Sequence, residues 1–172
     1  MLDLSELSKE QLVELVKLLA GNSTTIDGLW FTQVEDKFGI DAAIDIDMQV
    51  WRKYAPIEAK RIKERMGIKE GGLDGFSRAL KFSAWVSADG FDAKIKKDKD
   101  NVVFTVTGCR PQEARIRSGR NEFPCKPVGI EFFKEFVKTF GTDIKVRCLV
   151  CPPDEHPDGI WCSWEFATFD KS

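Results

Sequence analysis

Apolar residues recur at helical spacing through the first half of the chain and at strand spacing through much of the second. Leu12, Leu15, Val16 and Leu19 share one helical face, because a 3.6-residue period brings positions three and four apart together. Ser8 and Gln11 form a reciprocal N-terminal cap signal. Gly21-Asn22 predicts the stop. A second helix is expected from Thr24 or Thr25 to Gly39, with Ile26, Leu29, Trp30, Val34 and Phe38 along one side. A third begins at Asp41 and runs toward Met66, turning Ile44, Met48, Trp51, Ala55, Ile62 and Met66 inward. Pro56 should kink or split it, since proline removes a backbone donor and crowds the preceding turn. A fourth helix is expected over residues 73–86, after the Gly71-Gly72 break.

At Gly90 the period changes to two. Phe91, Ala93 and Ile95 alternate with Asp92, Lys94 and Lys96, the mark of a half-buried strand. Residues 97–101 read as a polar hairpin turn and 102–107 as a β-branched and aromatic strand. Residues 110–127, with Pro111, Gly119, Pro124 and Pro127, read as irregular. A helix returns with Ile130, Phe133, Phe136, Val137 and Phe140, and two further strands follow near 144–150 and 160–169. This order predicts an α+β fold: N-terminal helices packed on an antiparallel sheet of about four strands, with one helix inserted between hairpins. No repeat or Pro/Gly/Ser linker interrupts the chain. Residues 1–172 are therefore expected to form a single domain, helical over 1–88, with the sheet and the cysteines in 89–172.

Charge and composition narrow the class. The 172 residues carry 26 Lys and Arg against 28 Asp and Glu, a net charge of −2. That balance gives no broad attraction to nucleic acid or anionic lipid. The basic stretches 94–99 and 110–120 contain interleaved acids and no stacking platform, so they read as solvated faces. No apolar run approaches the 18 or so residues that a membrane span needs, and the N-terminus has no basic-then-apolar leader pattern. Five cysteines, an odd number, fit a reducing compartment better than a disulfide framework. The expected setting is the cytoplasm, with no nucleic-acid or membrane partner.

The cysteines carry the strongest chemical signal. Cys148-Leu149-Val150-Cys151 is a Cys-x2-Cys pair, and Cys162 returns beside it if strands 144–150 and 160–169 pair. Cys125, just before a helix, can supply a fourth sulfur. Four thiolates make a tetrahedral site for which Zn2+ is the default. Buried thiols or redox chemistry are the alternatives. Cys148 and Cys151 have opposite parity on a regular strand, so both can ligate only if the strand ends or bulges near Val150. Cys109 at a strand end is an alternative ligand, a pocket thiol or filler. His156 is an extra ligand or a solvated turn histidine. One histidine builds neither a three-histidine zinc site nor a convincing serine triad.

Trp30, Phe31, Trp51, Tyr54, Trp161 and Trp164 line a cavity or serve as plain core. Gln112 and Arg115 are candidates to fix a carboxylate, guanidinium being a planar donor fork. Glu58 is a candidate partner for Arg115 or a base. The candidate ligand-binding set is thus Cys109, Gln112, Arg115, Trp30 and Trp51.

The stretches Cys109-Arg110-Pro111-Gln112-Glu113-Ala114-Arg115, Glu122-Phe123-Pro124-Cys125-Lys126, Val146-Arg147-Cys148-x2-Cys151-Pro152-Pro153-Asp154-x-His156-Pro157 and Trp161-Cys162-x-Trp164-Glu165-Phe166 resemble an uncharacterised bacterial and archaeal family of cytosolic proteins. Leu7-Ser8-Lys9-Glu10 and Asp27-Gly28-Leu29-Trp30-Phe31 fit it too. That family is similar to the L-2-amino-thiazoline-4-carboxylate hydrolase-like group. The cysteine spacing also resembles the 4-vinyl reductase domain of aromatic-sensing regulators. There zinc is held by Cys, then Glu, then Cys two residues on, then a hairpin Cys. Cys125, Cys148, Cys151 and Cys162 occupy these positions, with Cys replacing Glu and a longer hairpin. This resemblance implies a structural zinc beside a pocket for a small organic molecule.

Two functions follow as expectations. The first is a cytoplasmic zinc-binding domain with a structural four-cysteine site and a pocket for a small organic ligand, aromatic or carboxylate-bearing, in a binding or sensory role. The second is a hydrolase of an amino-thiazoline carboxylate-like or other cyclic amide or amidine substrate. A structural ion is closed by four thiolates, whereas a catalytic one keeps a position for water. A second copy of the chain is a candidate partner.

Overall fold

The computed structural model describes residues 3–83, 86 and 91–168. Four strands, β1 (Phe91–Lys97), β2 (Asn101–Cys109), β3 (Ile144–Val150) and β4 (Cys162–Thr168), form an antiparallel sheet in the order β1-β2-β4-β3. Alternation selects its two faces. Val102, Phe104, Val106, Trp164, Phe166 and Ile144 are buried on the inner face. The outer face carries a Thr105–Ser163 hydroxyl contact at 2.9 Å and an Arg147–Glu165 ion pair at 2.6 Å. The α+β class expected from the sequence is the one observed.

Helices α3 (Gly72–Leu80) and α5 (Lys126–Val137) lie on the inner face, and α2 (Ile40–Arg65) packs on α5. They bury Ala55, Ala59 and Ile62 from α2, Leu73, Phe76 and Leu80 from α3, and Phe132, Phe133 and Phe136 from α5. Tilted aromatic pairs bind the layers, including Phe76–Phe166 with centroids 4.4 Å apart and Phe133–Trp164 at 5.0 Å. Such offset geometry matches ring edges to ring faces.

Helix α1 (Lys9–Phe38) corrects the sequence reading, which placed two helices there. The capping box at Ser8 and Gln11 is present, but Gly21-Asn22 does not stop the helix. Glycine in a helix costs only about 1 kcal/mol relative to alanine. The Thr24 and Thr25 hydroxyls donate back to the Ala20 and Gly21 carbonyls at 3.0 and 2.8 Å. Gly21 is buried because Arg110 lies where its side chain would be, a Cβ there standing 3.2 Å from Nη1. The break comes at Gly39, whose φ of 87° ends α1 and begins α2.

Other differences have local causes. α2 runs through Pro56, since Ala55, Ala59 and Ile62 on either side are packed into the core while the proline is exposed. Met66 is exposed rather than inward. Residues 110–127 are not wholly irregular: α4 (Arg110–Arg117) forms with Pro111 in its first turn, where a missing N–H costs nothing. The apolar stripe of α1 does not enter the core; Leu12, Val16 and Leu19 are exposed and Leu15 is half-buried. α3 ends at Leu80, and positions 84, 85 and 169 of the expected helix and strands lie outside the described residues.

Gly129 sets the spacing of α5 from the sheet. A Cβ there would stand 2.6 Å from Cζ2 of Trp164, a side chain only 2% exposed. Gly129→Ala should therefore destabilise the fold by about 1–3 kcal/mol through overpacking, against the usual stabilising sign in a helix. Denaturant unfolding checks this; a neutral or stabilising effect would contradict it.

Candidate functional site

The turn after β3 gathers the cysteines. Cys148 faces Trp164 across the strands, and Cys162 faces Val106. Directly opposed residues share a face, so both lie on the inner side. A register shift between Cys148 and Val150 inserts Leu149 as an extra residue. That bulge changes the parity, as both cysteines required, and Cys151 is buried at 1% exposure. Cys125 precedes α5, and the Lys126 amide donates to the Pro152 carbonyl at 3.0 Å, tying this helix start to the turn. Lys126 Nζ also pairs with Asp154 at 2.7 Å.

The result is a chain of sulfurs. Cys125 Sγ and Cys151 Sγ are 3.5 Å apart, and Cys151 hydrogen-bonds Cys162. Hydrogen bonds to Cys125 and Cys162, with burial, hold the Cys151 thiol protonated far above its ordinary value. The bond from Cys151 lowers Cys162, overcoming burial and aided by a hydrogen bond from Trp164. Cys148 is pushed up to about 11, mainly by burial, and senses Cys125 and Cys162 electrostatically. Burial also drives Cys109 upward, beside Cys125 and Cys162. All five are free thiols. Among the described residues, no three His, Cys, Asp or Glu side chains are drawn together tightly enough to hold an ion as they stand. The donor set fits zinc in chemistry, since four soft sulfurs lie in one neighbourhood.

A cavity of about 850 Å³ opens beside this cluster. Its walls come from α1 (Trp30, Phe31, Val34), α2 (Ile46, Val50, Trp51, Tyr54), Phe82, Phe91, and the β2–α4 and pre-α5 segments (Cys109, Gln112, Phe123, Cys125). Of the expected ligand-binding residues, Trp30, Trp51, Cys109 and Gln112 line it; Arg115 does not. Gln112 is already committed, donating to the Phe123 carbonyl at 2.7 Å and to Cys125 Sγ at 3.6 Å, and accepting from the Phe123 amide at 2.7 Å.

Arg115 has a structural partner instead. Its guanidinium grips Glu35 of α1 with two hydrogen bonds, at 2.6 and 3.0 Å, and donates to the Asn121 carbonyl at 3.1 Å. The Phe31 and Phe123 rings lie 5.6 and 5.9 Å from it. The hydrogen bond from Arg115 holds the Glu35 carboxyl below its ordinary range despite burial. This pair fastens α4 to α1 and so fixes one end of the cavity. His156 stands 3.4 Å from Glu122 and packs against Trp161.

Three carboxyl groups line the cavity: Asp27, Asp47 and Glu58. Asp27 is solvent-exposed and Asp47 half-buried, while Glu58 is only 6% exposed. Burial, then the charge of Asp27, pushes Asp47 up to about 7, although a hydrogen bond from Trp51 opposes the shift. Burial also raises Asp27. The sequence reading passed over both aspartates. Their signal was an acid embedded in an apolar helical run, with Asp47 one turn before Trp51.

A model of the family of unknown function DUF6125 matches residues 5–168. No curated protein matches the chain. Among solved structures, a trafficking protein particle complex subunit 3 from Naegleria fowleri, covalently bound to palmitic acid, superposes with a TM-score of 0.54 at 13% identity, covering 90% of this chain and 95% of that one. At that identity the likeness shows the fold alone. No helix among the described residues is long and apolar enough to cross a membrane.

Asp47 makes stability depend on pH. The unfolded chain ionises this group near 3.8 and the folded chain near 7. Between those values the folded state keeps a proton that the unfolded state has lost, so stability falls as pH rises through the window. The full penalty stands above it. Asp47→Asn should exceed the parent in stability above that window by about 1–2 kcal/mol, after allowing for water in the cavity. The gap should close toward its acidic end. Thermal unfolding across pH checks this, and a gap independent of pH would contradict it.

Proposed function

We propose, for a chain that belongs to the DUF6125 family of unknown function, a small-organic-molecule-binding domain of the cytoplasm, with a binding or sensory role, whose cavity is braced by a structural zinc site. One observation carries this reading. Cys125 belongs to both features: it lines the cavity and its sulfur lies 3.5 Å from Cys151. Cys125, Cys148, Cys151 and Cys162 would hold the ion, which supplies a closed cross-link between α5, β3 and β4 and no position for water. Loading would require the raised thiols to lose protons, which couples metal affinity to pH. Five free thiols suit a reducing compartment.

The cavity has the size and mostly apolar lining of an organic-ligand site. The structural neighbour bound to palmitic acid is covalently modified. Here the Cys109 thiol at the wall is held protonated by burial, which favours reversible occupancy over attack by that sulfur. The hydrolase reading draws support from Asp47 alone, a cavity carboxyl that titrates near neutrality. The exposed apolar stripe of α1, including Val16, Leu19 and Leu29, is the surface we assign to a second copy of the chain.

Elemental analysis of protein purified without chelator should find about one zinc per chain. Cys151→Ser should lose that metal and melt earlier. Protein without zinc, or a variant that keeps its full complement, would overturn the metal site. Light scattering should give twice the 19.5 kDa chain mass, falling to the single mass in Val16→Lys/Leu19→Lys. A monomeric parent would overturn the pairing.

A further inference from the structure

We infer that the cavity selects ligands bearing a positive charge, an organic amine on an aromatic or aliphatic body, with Asp27 and Asp47 receiving the ammonium group. The inference rests on the ligand-binding reading of the cavity and adds the chemical class of its occupant.

Two independent observations meet here. The first is a solvent-open cavity of about 850 Å³ with aromatic walls, among them Trp30, Trp51 and Phe31. It accommodates an apolar body by burial. The second is the sign of its charged groups. The lining holds Asp27, Asp47 and Glu58, and among the described lining residues none is Arg, Lys or His. The neighbouring arginines stand outside the lining. Arg115 is bound to Glu35, and Arg120 pairs with Glu35 and Asp36. Arg110 lies against Gly21 and donates to the Thr25 hydroxyl at 3.4 Å. Arg61 acts on Tyr54 across α2, where Glu58 opposes it.

A carboxylate ligand would add a further negative charge to this space. An ammonium group would offset the mutual repulsion of Asp27 and Asp47, and the indole faces of Trp30 and Trp51 would add cation–π attraction. Burial and repulsion already hold Asp47 toward its neutral form, so an arriving cation draws it back to the carboxylate. The Trp51 indole N–H donates to Asp47 and orients it. The carboxylate-bearing ligand expected from Arg115 loses its basis, because Arg115 is tied to α1 outside the lining.

Three probes that share one skeleton separate the possibilities: 4-phenylbutylamine, 4-phenylbutanol and 4-phenylbutyrate, titrated at neutral pH by calorimetry and by the fluorescence of the cavity tryptophans. The amine should bind about tenfold tighter than the alcohol, and the carboxylate should bind weakest. In Asp27→Asn/Asp47→Asn the amine's advantage should collapse while the alcohol keeps its affinity. A carboxylate that binds as tightly as the amine, or an amine advantage that survives the double variant, would overturn the inference. Alcohol binding without any amine advantage would overturn it too and leave the cavity reading standing. Failure of all three probes to bind would overturn both.

Discussion

Two sulfurs 3.5 Å apart, from Cys125 and Cys151, join parts of the fold that the backbone leaves separate. Cys125 marks the start of α5, Cys151 the end of β3, and Cys162, bonded to Cys151, the start of β4. The Lys126 amide and the Lys126–Asp154 pair fasten the same corner from outside. Cys125 and Cys109 then pass directly into the cavity wall. The position of that wall therefore depends on how the thiols are held. Protonated thiols form weak, rearrangeable contacts, whereas thiolates around one cation form a stiff tetrahedron.

The opposite end of the cavity is fixed by charge. Arg115 and Glu35 exclude most water and meet through two parallel hydrogen bonds. Removing either partner would strand the other, the costly outcome for buried ions. Satisfied in this way, the pair contributes no free charge to the cavity. Among the described residues that line the cavity the charged groups are acids, and the site's electrostatics follow from that division. The structure spends its well-placed arginine on holding α4 to α1.

Much of the fold was legible because burial imposes period. The strands at Phe91, Val102 and Ile144 alternate as a one-sided sheet must, and the α+β order follows. The approach of Cys162 to Cys151 was legible from pairing logic, as was the bulge that parity required. Other features were set by tertiary contacts that no local rule reports. Gly21 reads as a stop, yet it is where Arg110 packs, so the helix continues. The apolar face of α1 reads as core, yet it points outward, because periodicity gives a face and not its partner. Arg115 reads as a ligand group, and only the arrival of Glu35 from 80 residues away reassigns it. Asp27 and Asp47 carry no motif; two helices had to be placed side by side before their shared cavity existed.

The proposed zinc site requires these thiols to act together on one ion. X-ray absorption at the zinc edge of the purified protein tests it most directly. A single shell of four sulfurs at about 2.3 Å, with no light-atom ligand, is expected. Absence of a zinc edge, or a shell in which oxygen or nitrogen replaces two or more of the sulfurs, would contradict it.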